Sequence, residues 1–408
     1  MRNSLRTLLL VMFCLVLIVG LGGGLFWGNL KFVRAVPAGV DFFALWKPAQ
    51  NLIMQGVMPY DQVNTLQVQR WVYGRAALAA EQSYQFNMPF YVILLVLPVG
   101  WIGDFAIARS LWMVALELVS VGLAGVALQL SGWRPSWFIL LLAALFGLFW
   151  APGALSILHG SLVLFQALLV FGAIRALARE ADELAGAFLA LGLMYISVTG
   201  LSILLIGIWV VSLRRWRVLA GFLMTLTVLG AISFLVSPSW FSDFFFSILR
   251  TWREHALPST FTLLEGWFPG LGVQLGQAVR ALAIIVLFFE WQAVRGKGTP
   301  WLFWTTGLTA VLTPYFGLRF SPVWLAFTLP AVLLVFSVMG QRWGLFGHLM
   351  AFITLAGVFI GLWVAELAVL ESVFLFIYPL FMTIMLYWVR WWVTRPPRLW
   401  IDMIAQEN

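Results

Sequence analysis

The stretch VPAGVDFFALWKPAQNLIMQGVMPYDQ (Val36–Gln62) decides how the chain is read. It follows directly on an apolar run from Leu8 to Trp27. Phe42, Leu45, Trp46, Ala49, Leu52 and Ile53 recur at helical spacing, with polar residues between them. Pro48 is expected to kink or restart that helix. A second stretch of the same kind follows Asp61, with Val63, Leu66 and Trp71. Short amphipathic helices of this type lie in the plane of a membrane interface. The segment thus reads as a membrane helix that ends and hands over to interfacial helices. Asp41 stands at the handover.

Composition agrees. Of 408 residues, 62% are hydrophobic and only 10% charged, against roughly 25% in soluble domains. This is a membrane composition, and the length suits an all-α polytopic transmembrane helical bundle of about 10–13 helices. We read residues 1–408 as a single integral membrane domain. The net charge of +8 is spread as short Lys/Arg clusters between apolar stretches. That pattern sets topology and argues against a nucleic-acid partner. The one cysteine, Cys14, lies inside the first apolar run and excludes an intrachain disulfide.

The run from Leu8 to Trp27 exceeds the about 7–15 apolar residues of a signal peptide, so it reads as an uncleaved anchor. Arg2 and Arg6 then place the N-terminus in the cytoplasm. Gly20, Gly24 and Gly28, four apart, predict close packing of another helix. Residues 31–88 form a first outer loop, 237–272 a second, and 390–408 a cytoplasmic tail. Apolar segments at about 89–102, 105–130, 136–151 and 160–177 do not alternate cleanly between these sides, so one of the four is expected to be re-entrant or to lie flat. Between the basic clusters at Arg175–Glu183 and Arg214–Arg217, "YISVTG" (Tyr195–Gly200) breaks a hairpin of two short helices.

No GxxxxGK[ST], HExxH, DxD pair or nucleophile elbow is present. The three histidines, His159, His255 and His348, are far apart in sequence, which disfavours a zinc site. The remaining candidates are polar groups on the outer side. They include Asp41, Lys47, Asp61, Arg75 and Glu81 in the first loop, Asp243, Arg253 and His255 in the second, and Arg319 in a third. Carboxylates near bilayer depth are costly and tend to be functional. Asp41 alternatively caps the helix that begins "FFAL", and Asp61 after "PY" reads as a turn or cap residue. Glu117 within a span marks an ion pathway, or else snorkels or pairs with another helix.

Gly39, Asp41, Phe42, Trp46 and Ala49, followed by Gly56, Pro59, Tyr60 and Asp61, resemble the first outer loop of glycosyltransferase family 87. That family belongs to the GT-C superfamily and uses polyprenyl-phosphate sugars. Phe86 and Pro89, then Ala108 and Trp112, extend the resemblance, and "HGSLVL" keeps Gly160 of the family's Gly-Gln-x-Asn. The Gln and Asn differ here, as does a lysine usual in the next hairpin. The resemblance implies an inverting hexosyltransferase at the exoplasmic face of the plasma membrane. Its partners would be a polyprenyl-phosphate sugar as donor, mannose-like, and a lipid or glycan acceptor. It implies no cofactor and no metal. Asp41 would be the general base. Lys47, Tyr60, Asp61, Arg253, His255 and Arg319 would bind substrate. The alternatives are a transporter or flippase of lipid-linked substrates, and a non-catalytic GT-C relative.

Overall fold

The computed structural model describes residues 2–36, 38–78, 81–253, 259–316, 321–367 and 371–394. Among them the regular structure is helical throughout. In chain order the helices are α1 (Arg2–Ala35), α2 (Val40–Gln55), α3 (Gln62–Tyr73), α4 (Tyr91–Gly100), α5 (Phe105–Leu130), α6 (Trp137–Phe149), α7 (Ala151–His159), α8 (Val163–Ala178), α9 (Asp182–Leu191), α10 (Ile196–Ser212), α11 (Trp216–Val236), α12 (Trp240–Arg253), α13 (Thr260–Trp267), α14 (Gly272–Ala293), α15 (Thr299–Leu312), α16 (Leu329–Leu367) and α17 (Glu371–Thr394). Helix α2 continues through Pro48 rather than restarting there. The first loop does carry two short amphipathic helices, α2 and α3, as its periodicity predicts.

Among the described residues, five helices are long and apolar enough to cross a membrane, or six if α6 and α7 form one bent span. The membrane class read from composition therefore holds. The irregular stretch between residues 89 and 177 has a physical form. Helix α4 has ten residues, about 15 Å of helix, against a hydrocarbon core of about 30 Å. Helices α6 and α7 meet at Trp150 with a bend of 56°, as in a broken span or a re-entrant loop. The glycine stripe of α1 behaves differently from expectation. A Cβ added at Gly20, Gly24 or Gly28 would meet nothing within 4 Å, so no helix of this chain packs on that face among the described residues.

The chain groups into two compact units, each built from three segments. The first comprises residues 1–119, 157–161 and 230–255. Its core is aromatic: Phe42, Phe43, Trp46 and Trp112 are buried, and Phe42 stacks on Trp112 with ring centres 5.3 Å apart. Helix α2 lies tightly on α4, because Gly100 leaves room that a Cβ would take from Ala49 and Ile53 at 3.2 and 3.1 Å. The Trp46 indole donates to the Val99 carbonyl at 3.1 Å and fixes that contact.

The second unit comprises residues 120–156, 162–229 and 256–408. The predicted broken hairpin is present as α9, a single 3-10 turn at Gly192–Met194, and α10. The carbonyls freed by the break find partners. The buried Gln166 amide donates to Gly192 at 3.0 Å, and the Thr199 hydroxyl donates to the same oxygen at 2.7 Å. A break at apolar depth requires such partners. Helix α9 also approaches α11 closely, since a Cβ on Gly186 would lie 2.0 Å from the Val218 carbonyl oxygen. Asp182 pairs with Arg215 at the basic end of that hairpin.

Candidate functional site

The candidate site is built where α1 gives way to α2. Gly39 is the N-cap of α2, with φ 98° and ψ 40°. Only glycine takes this backbone without strain. A second demand falls on the same position, because a Cβ there would lie 2.5 Å from Nε of Arg109. No side chain caps α2, so the capping alternative for Asp41 does not describe the structure. Asp41 instead lies within the first helical turn, where the helix dipole favours an anion.

Four residues face that turn from elsewhere in the first unit. Arg109 on α5 is fully buried and ties two segments together. It donates from Nη1 to the Val36 carbonyl at 3.2 Å and from Nη2 to the Leu158 carbonyl at 2.9 Å. Its Nε has no partner among the described residues and lies against Gly39. The segment it grips, Leu158 to Ser161, reverses at Gly160 with φ 75°. A Cβ on Gly160 would sit 2.4 Å from Cβ of Phe42. The Trp112 indole donates to the Gly160 carbonyl at 2.9 Å, and the same indole stacks on Phe42. Backbone, guanidinium and indole thus press residues 158–161 onto the start of α2.

This brings His159 and Ser161 to Asp41. His159 and Ser161 are the side chains of that turn whose electrostatics act on the Asp41 carboxylate. Asp41 keeps accessible surface although protein surrounds it. Burial pushes its carboxyl above the usual carboxylate range, and His159 and then Ser161 pull in the opposite direction. Tyr84 is the fourth neighbour. Its φ of 51° is unusual for a residue with a side chain. Burial and Tyr73, then the charge of Asp41, push its phenol up. A half-buried carboxylate with a raised proton affinity is a group able to take up a proton.

The other expected site residues separate into those near this turn and those outside it. Tyr60 donates to the Met88 carbonyl at 2.7 Å and meets Phe86 edge-on at 5.3 Å. Burial, with Asp243 adding to it, raises its phenol. Helix α12 docks on the same stretch, since Ser247 donates to the Phe86 carbonyl at 2.9 Å. The two outer loops named by the sequence are therefore in contact in the first unit. On α12, Phe241, Phe245 and Phe246 are exposed, as an interfacial helix requires. Lys47 donates to Gln50 at 2.8 Å, and burial lowers its ammonium. Arg253 ends α12, but its side chain lies outside the described residues, as do His255 and Arg319.

Asp61 is a helix cap. Its carboxylate accepts from the Val63 amide at 2.9 Å at the start of α3. We expect Asp61→Ala to cost about 1 kcal/mol of stability. The thermal midpoint should fall slightly in a detergent-solubilised melt, and any activity per folded molecule should persist. Arg75 and Glu81 pair with each other at 2.7 Å, which holds the Glu81 carboxyl at about 2. Glu117 accepts from Asn29 at 3.0 Å and so pairs α5 with α1, the helix-paired alternative.

Arg109, Ser161 and Tyr84 are absent from the sequence reading. Arg109 sits in an apolar span and gives no motif. Ser161 signals itself only through its neighbour Gly160, and Tyr84 through a backbone angle. Among the described residues no group of three or more His, Cys, Asp or Glu side chains is placed to hold a metal. No family model, curated protein or solved structure matches the chain.

Proposed function

We propose that the chain is a membrane glycosyltransferase of GT-C type, with Asp41 as its base. A sugar, mannose-like, would pass from a polyprenyl-phosphate donor to a hydroxyl of a lipid or glycan acceptor. The acceptor oxygen forms a bond to the anomeric carbon as the bond from that carbon to the phosphate oxygen breaks. Asp41 receives the hydroxyl proton, and polyprenyl phosphate leaves with the electron pair. One displacement inverts the anomeric centre. The step requires no metal or cofactor. The reading places the protein as a multi-pass component of the plasma membrane, with the site at the exoplasmic face.

One observation carries this reading. The carboxylate singled out by the loop resemblance caps nothing, feels the electrostatics of His159 and Ser161, and keeps surface open. Its place just past the end of α1 suits a donor whose tail lies in the bilayer and whose sugar sits at the interface. The test is transfer from radiolabelled polyprenyl-phosphate mannose, glucose and arabinose in membranes containing the protein. A product of inverted anomeric configuration is expected with one of them.

A second reading has its own observations. The bend at Trp150 and the interrupted α9–α10 hairpin are features of transporters and flippases of lipid-linked substrates. Proteoliposomes that move the labelled lipid across the bilayer, with no transfer from any donor, would favour it. Binding without transfer or movement would favour a non-catalytic GT-C relative.

A further inference from the structure

Helices α13 and α14 form a close pair in the second unit. A Cβ on Gly272 would lie 2.1 Å from the Glu265 amide nitrogen, and one on Gly276 would lie 2.3 Å from Cδ1 of Phe261. The Phe261 ring is thus seated on Gly276. One turn further along α14, the Arg280 guanidinium lies over the same ring, 4.3 Å from its centre. Arg280 belongs to the inward stripe of α14, between the buried Gly276 and Ala283. Helix α14 is long and apolar enough to span a membrane. Arg280 stands eight residues from its start, about 12 Å into about 33 Å of helix.

A cation at that depth needs a counter-charge. Among the described residues the chain supplies none. Arg280 makes no hydrogen bond or ion pair with them, and its Nε is enclosed without a partner. The described carboxylates of α13 and α14 are engaged elsewhere. Glu265 accepts from the Gly270 and Val273 amides at 2.7 and 3.1 Å. Glu290 pairs with Arg390 and accepts from Tyr387 at 2.8 Å. Helix α15, packed beside α14, has no acidic residue. Helical side chains lean toward the N-terminus, which carries this guanidinium toward the nearer end of the span, where lipid phosphates lie. We propose that Arg280, held on the Phe261 ring, is a binding site for the phosphate of an anionic membrane lipid. A guanidinium presents paired N–H donors that match phosphate oxygens. The site lies wholly in the second unit and does not rest on the transferase reading.

The test uses the purified full-length protein in neutral detergent. Native mass spectrometry measures binding of phosphatidylglycerol, undecaprenyl phosphate and, as a zwitterionic control, phosphatidylcholine. Thermal midpoints are recorded with and without each lipid, and with inorganic phosphate. Arg280→Met keeps an apolar stem on Phe261 and removes the charge. Wild type should bind at least one of the two anionic lipids about tenfold or more tightly than the variant, with phosphatidylcholine binding unchanged. The lipid that shows the difference identifies the source of the phosphate. That lipid should raise the wild-type midpoint and leave the variant's where it was. Without lipid the variant should melt no lower than wild type, because an uncompensated cation has been removed. Equal binding of both anionic lipids by wild type and variant overturns the proposal. So does a variant midpoint lowered by the same amount with and without lipid, which is the mark of a purely structural cation–π contact. Stabilisation of wild type by inorganic phosphate and by neither lipid overturns the lipid assignment. Arg280→Gln is a second uncharged variant, held to the same criteria.

Discussion

Gly160→Ala is expected to cost about 2–5 kcal/mol of stability. Two independent terms add. The φ of 75° is left-handed, which costs a residue with a Cβ about 1–2 kcal/mol. The new Cβ would also lie 2.4 Å from Cβ of Phe42, where carbon atoms prefer about 3.5–4.0 Å. Overpacking of that kind costs about 1–3 kcal/mol. Phe42 cannot swing aside, because the contact is to its Cβ, which moves only with α2 itself. Relief must come from separation of the turn and the helix, which also separates Ser161 from Asp41. Thermal melts in detergent supply the check, with Gly56→Ala as the control. Gly56 has φ 67° but nothing within 4 Å of an added Cβ, so it carries the first term only. Equal destabilisation by the two substitutions would show that the turn does not press on α2 as described.

The architecture was legible for reasons that act locally. Apolar runs need no partner to declare themselves, and the helical spacing of Phe42, Trp46 and Ala49 survives in α2 with those residues buried. The break near Tyr195 was readable because polar and β-branched residues interrupt an apolar run. The 56° bend at Trp150 was legible only as an irregularity in one of four segments, although Pro152 and Gly153 follow it directly. The glycines of α1 show the converse. Their spacing is a packing signal, yet no neighbour in the described chain answers it. Within the site, Asp41 stood out because a carboxylate is rare beside an apolar run. Arg109 passed unseen because its role depends on two backbone carbonyls that lie 73 and 49 residues away. Sequence pattern carries no record of such pairings. Asp61 looked equally conspicuous, and its carboxylate is spent on capping α3.

Asp41→Asn should remove sugar transfer almost entirely while leaving the fold intact. General-base catalysis contributes about 10²–10⁴-fold to rate, and an amide cannot accept the acceptor's proton. The amide matches the carboxylate in size, and α2 loses no cap, because Gly39 and not Asp41 occupies that position. Stability should shift in the opposite sense from activity. Burial raises the Asp41 carboxyl above its value in the unfolded chain. For such a group the stabilisation is full below the unfolded pKa and is lost as pH rises through the folded one. At neutral pH wild type therefore bears the cost of a buried charge that Asp41→Asn lacks. The variant should melt at or above the wild-type temperature at neutral pH, and the difference should vanish in acid. The same burial places the acid limb of wild-type activity above the usual carboxylate range.

The most direct measurement is transfer from labelled polyprenyl-phosphate mannose, glucose and arabinose by wild type and Asp41→Asn, side by side in membranes at equal expression. The account predicts an inverted product from wild type with one donor, and at least about a hundredfold less from the variant. Equal transfer by the two proteins would contradict it, because the carboxylate at the end of the first helix would then have no part in the chemistry.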